Sequence, residues 1–215
     1  MSFLDIDNTI FQVAGYPVSY VELAGTLFGL AAVYYATKAK LLTWLTGIIN
    51  EFFFFILFFQ VQLYADMFLQ IFFFAVTLYG WHNWKRKNTL FNISHLSHRT
   101  IILISLTITI GTLISGYSFS NIHLYMPGYF KIPAAYPFID SFIMVCSIMA
   151  TYLLAKKKIE NWHLWIIVDI CCIVLYSVKG IYFLALEYLI FLCLASYGLY
   201  RWNKEMINDQ SIHIR

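Results

Sequence analysis

Long apolar runs alternate along this chain with short polar, lysine-bearing breaks, and the runs have the length a bilayer demands. A membrane-crossing helix needs roughly 20 mostly apolar residues, within a range of about 17–25. Such runs fall at about residues 20–37, 41–60, 65–84, 100–117, 138–155, 161–178 and 181–200. Helices are expected at all seven, because in hydrocarbon each backbone donor must be satisfied within its own segment. The breaks are short except for 85–99 and 118–137. The second of these holds Pro127, Gly128, Pro133 and Pro137 and predicts an irregular connection. Residues 1–19 lack a basic stretch followed by a cleavage site and predict a short exposed lead-in along the interface.

Composition agrees with a hydrocarbon solvent. Hydrophobic residues make up 61% of 215 residues and charged residues 12%, with a mean hydropathy of +0.72. A soluble domain of this size could not cover its surface with so little charge. Twenty Phe, 16 Tyr and 6 Trp suit lipid-facing surface and interfacial belts. Cys146, Cys171, Cys172 and Cys193 lie within apolar runs without disulfide or zinc spacing, and read as small core residues.

The basic residues set a direction. Lys38, Lys40, Lys85, Arg86, Lys87, Arg99, Lys156, Lys157, Lys158, Arg201, Lys204 and Arg215 fall on one side if seven spans alternate. Only Lys131 and Lys179 fall opposite. By the positive-inside rule the N-terminus is then outside and the C-terminus cytoplasmic. An even number of spans would scatter the same charges.

The chain also matches itself. Sliding it by 118 residues aligns 20–84 with 138–202 without a gap, at 13 identities in 65 positions. Among them are Tyr34 with Tyr152, Lys38 with Lys156, Trp44 with Trp162, and Tyr79, Gly80 and Trp84 with Tyr197, Gly198 and Trp202. Acids repeat in kind, Glu22 with Asp140 and Glu51 with Asp169. The implied organisation is a lead-in (1–19), a three-helix repeat (20–84) and a linker with helix four at about 100–117 (85–137). A second three-helix repeat (138–202) and a cytoplasmic tail (203–215) follow. Three spans plus one carry the second copy to the same orientation. The expected fold is thus all-α and integral to the membrane, a 3+1+3 parallel repeat of seven transmembrane helices, N-out and C-in. Transporters use such an architecture, with the solute near the midplane between the halves.

Polar residues at membrane depth are candidates for that solute's path. Asn50 and Glu51 fall near the middle of span two, and Asp169 at the same depth in span six. A carboxylate at the bilayer centre costs about 2.5–3.5 kcal/mol on insertion scales, so it normally faces a cavity or a partner. No midplane Lys or Arg stands ready to neutralise either acid. Two such acids facing one another suit a cationic solute or a shared proton; the structural alternative is a hydrogen-bonded core network. Gln60 and Gln70 flank the outer turn between spans two and three, where Gln62 and Asp66 read as solvated. Glu187 and Tyr188 lie in span seven, Tyr188 as the repeat mate of Gln70. Trp162 and Trp165 stand at the cytoplasmic end of span six. Trp162 reads as a belt anchor, while Trp165 aligns with Gly47, so one half could offer a stacking surface and the other room for a ring. Gly25, Gly29 and Gly80 read as helix-packing positions, and His82, His95 and His98 as surface residues. No phosphate loop, catalytic triad order or metal-spaced histidine pair stands out, and no cofactor is expected. Lys179 lies too near a helix end for a Schiff base at the midplane.

Several ordered stretches resemble the PnuC family of bacterial vitamin transporters: INEFFFFILFFQVQLYADMFLQIFFFAVTLYGWHNW, YPFIDSF, KKKIENWHLWIIVDI, KGIYFLALEYLIF and YGLYRW. The resemblance covers about residues 20–204. It implies a 3+1+3 fold related to the sugar-transporting SWEET proteins, a homotrimer, and residence in the bacterial inner membrane. It implies facilitated diffusion without ATP or an ion gradient, the vitamin being trapped by a cytosolic kinase. Members take nicotinamide riboside, thiamine or riboflavin. Carried onto this chain, the family's site falls on Asn50, Gln60, Gln70, Trp162, Trp165 and the position of Asp169. Glu51 departs from the neutral residue pictured there in the nicotinamide riboside branch. A carboxylate at that place could accept from an aminopyrimidine and offset a thiazolium charge. The expected cargo is therefore thiamine, with nicotinamide riboside the alternative. Two readings of other classes compete: an intramembrane enzyme using Glu51 and Asp169 as acid and base, and a non-transporting sensor.

Overall fold

The computed structural model describes residues 4–13, 15–60, 64–86, 93–128, 133–180 and 182–213. Gln62, the side chain of Asp66, Lys87, Lys131 and Arg215 lie outside the described residues. Seven helices carry the chain: α1 (Tyr20–Thr37), α2 (Leu42–Gln60), α3 (Tyr64–Arg86), α4 (His98–Tyr125), α5 (Pro137–Ala155), α6 (Glu160–Val178) and α7 (Tyr182–His213). Among the described residues five are long and apolar enough to cross a membrane: α2, α4, α5, α6 and the Leu184–Asn208 part of α7. The other two, α1 and α3, carry more polar and tyrosine positions, Glu22 and three tyrosines in α1, and Asp66, Gln70, His82 and Asn83 in α3.

Three boundaries depart from expectation. The lead-in is a β-hairpin, β1 (Thr9–Val13) against β2 (Tyr16–Ser19), with Gly15 at φ +83° in the turn between them. Among the described residues the fold is thus all-α apart from one two-stranded ribbon, and Val18 of that ribbon is fully buried. Helix α4 runs on to Tyr125, eight residues past the expected end. There Ser118, Ser120 and Asn121 bond back to carbonyls one turn earlier, so polar residues continue the helix instead of breaking it. Helix α7 likewise extends through a polar stretch to His213. Pro137 takes the first turn of α5, where its missing N–H costs nothing.

Neighbouring helices close into a ring. Substantial contacts join α1 to α2, α2 to α3, α3 to α5, α5 to α6, α6 to α7, and α7 back to α1. Helix α4 stands outside the ring against α5. The halves therefore meet twice, α1 on α7 and α5 on α3, at elements that the 118-residue register makes equivalent.

The two lysine-rich turns share one hydrogen-bond pattern. In the first, the N–H groups of Lys38 and Lys40 both donate to Tyr35 O, and Ala39 N–H to Ala36 O. In the second, Lys156 and Lys158 donate to Leu153 O, and Lys157 to Leu154 O. Thr43 N–H donates to Lys40 O as Asn161 N–H donates to Lys158 O. Ala39 and Lys157, also 118 apart, take the left-handed conformation at φ +48° and +51°.

Beyond these turns lies the largest core. Ala36, Trp44, Trp84, Leu154, Ala155, Ile159, Trp162, Ala195 and Trp202 form one buried cluster that draws on both halves. Trp44 meets Trp84 edge-on, ring centres 5.1 Å apart at 89°, and Trp162 meets Trp202 at 5.5 Å and 89°. Gly80 lies directly under the Trp44 ring. A Cβ at Gly198 would come within 2.6 Å of Trp162. Large rings fit here because the facing helix offers no side chain.

Candidate functional site

Glu51 and Asp169 are both held away from the outer surface of the bundle, 7% and 2% exposed. On α2, the Thr77 hydroxyl of α3 donates to Glu51 Oε1. The second oxygen, Oε2, is buried with no hydrogen-bond partner among the described residues. Thr77 follows Gln70 by seven residues, two helical turns, so both lie on one face of α3. Gln70 is half-buried. A hydroxyl two turns from an amide on one helix face is the sequence signal that marks Thr77.

Asp169 has no hydrogen-bond partner among the described residues. Its neighbours Val168 and Cys172 are buried with Ile108 of α4 and Cys146 of α5, and Tyr176, Tyr188 and Trp165 pack against that group. Tyr188 stacks on Tyr176 with ring centres 5.5 Å apart and planes 15° from parallel. It also tilts against Phe191 at 6.0 Å. An aromatic wall thus runs from α6 to α7 beside the carboxylate.

Asn50 joins that wall to the first half. Its Nδ2 donates to Gly25 O at 2.8 Å, tying α2 to α1. A Cβ built on Gly29 would meet Asn50 Nδ2 at 2.8 Å and the Phe191 ring at 3.7 Å. Helices α1, α2 and α7 therefore converge at one glycine, with Asn50 and Phe191 on either side of it.

Glu187, 9% exposed, sits beside Thr26 and Glu22 of α1. Tyr16 of the hairpin donates to Glu22 Oε1 at 3.0 Å. Burial first, and the Glu22 carboxyl second, push the Tyr16 phenol up to about 12. Sequence reasoning noted Glu22 only as the mate of Asp140, and missed Tyr16 because nothing in a lead-in announces that it will fold back.

Gln60 lies at the outer end of α2, and its amide is spent on the lead-in. Oε1 accepts from Ile6 N–H at 3.1 Å, and Nε2 donates to Leu4 O at 2.6 Å. Trp162 is 1% exposed and faces Trp202 and Gly198 in the core, not a lipid interface. Trp165 is half-buried and packs against both core clusters, within reach of the Tyr188 wall. The space at Gly47 is already filled by α3, since an added Cβ would touch Thr77 at 3.5 Å. His82, His95 and His98 are exposed, and His95 Nδ1 lies 3.1 Å from Glu160 Oε1.

Asn50, Asp169, Trp165, Glu187 and Tyr188 thus belong to one connected region between α1, α2, α6 and α7. Glu51 flanks it on α2, and Gln60 and Trp162 lie toward opposite ends. The chemistry on offer is buried carboxyl groups beside aromatic faces in a water-poor setting, which suits a planar organic cation. Among the described residues no group of His, Cys, Asp and Glu could hold a metal ion.

Comparison with known proteins points the same way. Residues 19–204 match the family model described as nicotinamide mononucleotide transporter. The chain is 32% identical, over an alignment 228 positions long, to the nicotinamide riboside transporter PnuC of Escherichia coli (strain K12), covering 94% of each. It is 25% identical over 211 residues to the nicotinamide riboside transporter PnuC of Neisseria mucosa, covering 95% of this chain and 79% of that one. A crystal structure of the vitamin B3 transporter PnuC superposes with a TM-score of 0.67 at 24% identity, over 88% of this chain and 83% of that one. At that identity the likeness speaks for the fold alone.

Proposed function

The chain belongs to the nicotinamide mononucleotide transporter family, the PnuC family, and from that premise we propose that it carries nicotinamide riboside by facilitated diffusion. Membership makes it a multi-pass inner-membrane vitamin transporter. The cargo is the finer step. Thiamine was expected from the charge of Glu51, but both relatives above are named for nicotinamide riboside. Charge does not separate the two vitamins, because a pyridinium is as cationic as a thiazolium. The observation that carries the proposal is the 32% identity to the Escherichia coli transporter across 94% of both chains.

In this reading Asp169 and Glu51 offset the pyridinium charge, and the Tyr188, Phe191 and Trp165 rings take its face. The Glu51 oxygen without a partner supports a role toward the solute, since a buried acceptor left open costs about 1–3 kcal/mol. The halves act as parallel copies about an axis along the membrane normal. The matched lysine turns, both at the tryptophan-rich end, support that relation. The lysine-rich end is the cytoplasmic one, on the positive-inside rule. Three chains assemble, and a cytosolic kinase retains the vitamin.

Calorimetric titration of the purified protein with nicotinamide riboside, thiamine and riboflavin tests the cargo. Nicotinamide riboside is expected to bind at least tenfold tighter than thiamine. A preference for thiamine would return the assignment to that vitamin.

A further inference from the structure

Helix α4 leans chiefly on α5, and a groove runs along the outside of the ring between α4 and α6, over the back of α5. It has a volume of about 530 Å³ and is walled by apolar side chains, among them Ile139 and Phe142 of α5 and Ile170, Val174 and Val178 of α6. Those three α6 residues repeat every fourth position and form one stripe along the helix. The stripe rises about 12 Å at 1.5 Å per residue. Val174 and Val178 are 59% and 67% exposed, so nothing among the described residues covers it.

One end of the groove is charged. Lys179 follows Val178 directly, and its Nζ lies 3.7 Å from Asp140 Oδ1. The same ammonium stands 5.6 Å over the ring of Tyr136, which lines the groove, and 5.9 Å over Tyr176. Lysine and aspartate both keep part of their surface open, so neither is used up by the other. They sit where α5 begins and α6 ends, the depth at which a bilayer's headgroups lie. An apolar channel with a cation and an anion side by side at its mouth is complementary to one kind of bilayer component. Its chain is apolar, and its headgroup carries a phosphate beside an ammonium that can donate hydrogen bonds.

We propose that the α4–α5–α6 groove binds one phosphatidylethanolamine-type lipid per chain, an acyl chain along Ile170, Val174 and Val178, its phosphate on Lys179 and its ammonium on Asp140. The headgroup pair sets the selectivity. A phosphatidylglycerol satisfies Lys179 and leaves Asp140 facing a neutral headgroup. A phosphatidylcholine brings the charge with no N–H to donate.

Native mass spectrometry of the delipidated full chain, titrated separately with these three lipids, tests the site. The wild type is expected to take one phosphatidylethanolamine per chain, at least tenfold tighter than phosphatidylcholine. Val174→Trp fills the groove and abolishes that binding. Asp140→Asn weakens phosphatidylethanolamine about tenfold while leaving phosphatidylglycerol within threefold, and Lys179→Gln weakens both. Asp140→Asn alters no packing, so its selectivity decides the matter even if Val174→Trp fails to fold. Equal binding of all three lipids, or unchanged lipid preference in Asp140→Asn, would overturn the proposal. So would a folded Val174→Trp that keeps its lipid, or one that instead splits an oligomer, which would give the groove to a second copy of the chain.

Discussion

Trp84 in the first half donates its Nε1–H to the carbonyl of Ala155 in the second at 3.1 Å. Trp202 returns the bond, to Ala36, at the same distance. Ala155 lies one residue beyond the strict mate of Ala36, a small slip in an otherwise matched exchange. Each half thus closes the last turn of the other's first helix, where carbonyls have no intrahelical donor. The exchange lies within the tryptophan cluster beside the lysine-rich turns. A carrier that opens toward that end has to part these two contacts together, since they belong to the two equivalent interfaces.

Replacing either indole donor tests the exchange. Ala155 O keeps a second donor in Asn83 Nδ2 at 2.8 Å, and Ala36 O keeps Ala39 N–H at 2.9 Å. Trp84→Phe and Trp202→Phe are therefore each expected to lose about the net value of one hydrogen bond, roughly 0.5–1.5 kcal/mol, besides some packing. Thermal unfolding in detergent should show two similar drops in Tm. A large drop from one variant and none from the other would contradict the equivalence.

Gly198→Ala sets propensity against packing. On propensity alone, alanine for glycine inside a helix gains up to about 1 kcal/mol. Here the new Cβ would lie 2.6 Å from the Trp162 ring, and overpacking of this kind costs about 1–3 kcal/mol. The expected result is a lower Tm together with a shifted tryptophan emission. A stabilised protein would show that the ring moves freely.

Glu51→Gln keeps the size of the side chain and an acceptor for Thr77, and removes the charge. Binding of nicotinamide riboside should weaken tenfold or more, about 1.4 kcal/mol, with the fold intact. Thr77→Val, which removes only the donor to Glu51, should weaken it less. Wild-type affinity in Glu51→Gln would take this residue out of the site.

The lead-in is held from two sides. Gln60→Ala removes both of its bonds to Leu4 and Ile6, and hydrogen exchange at residues 4–8 should then rise well above that of the hairpin that follows. Tyr16 gives a pH signature. Its folded pKa of about 12 lies above the ordinary 10.0, so the stability it contributes is whole below pH 10 and is lost as pH rises through 12. The difference in phenolate absorbance between the wild type and Tyr16→Phe should titrate near 12. A midpoint at the ordinary tyrosine value would place the hairpin away from α1.

How far the sequence reached follows from what each feature depends on. Hydrocarbon thickness dictates span length, so the apolar runs gave seven helices to within a few residues except at α4 and α7. Those two extend through polar residues, which hydropathy cannot tell from loop. Residue pairs 118 apart marked Trp44 with Trp162 and Gly80 with Gly198, yet not that each glycine lies under a tryptophan; that needs the facing helix. Hence Trp162 was read as a belt residue when it is core. Asn50, Glu51, Asp169 and Glu187 were visible because polar groups stand out against apolar runs. Phe191 and Tyr176 were not, being two aromatics among 42. Gln60 was visible, but its partner is a backbone 54 residues away, and no local pattern encodes that.

Uptake of labelled nicotinamide riboside into proteoliposomes holding the purified chain, with no ATP and no proton, sodium or voltage gradient, tests the central claim most directly. The account predicts that the label equilibrates to equal concentrations inside and out, and that excess unlabelled nicotinamide riboside speeds its exchange. No uptake until a gradient is imposed, or accumulation above the outside concentration, would contradict it.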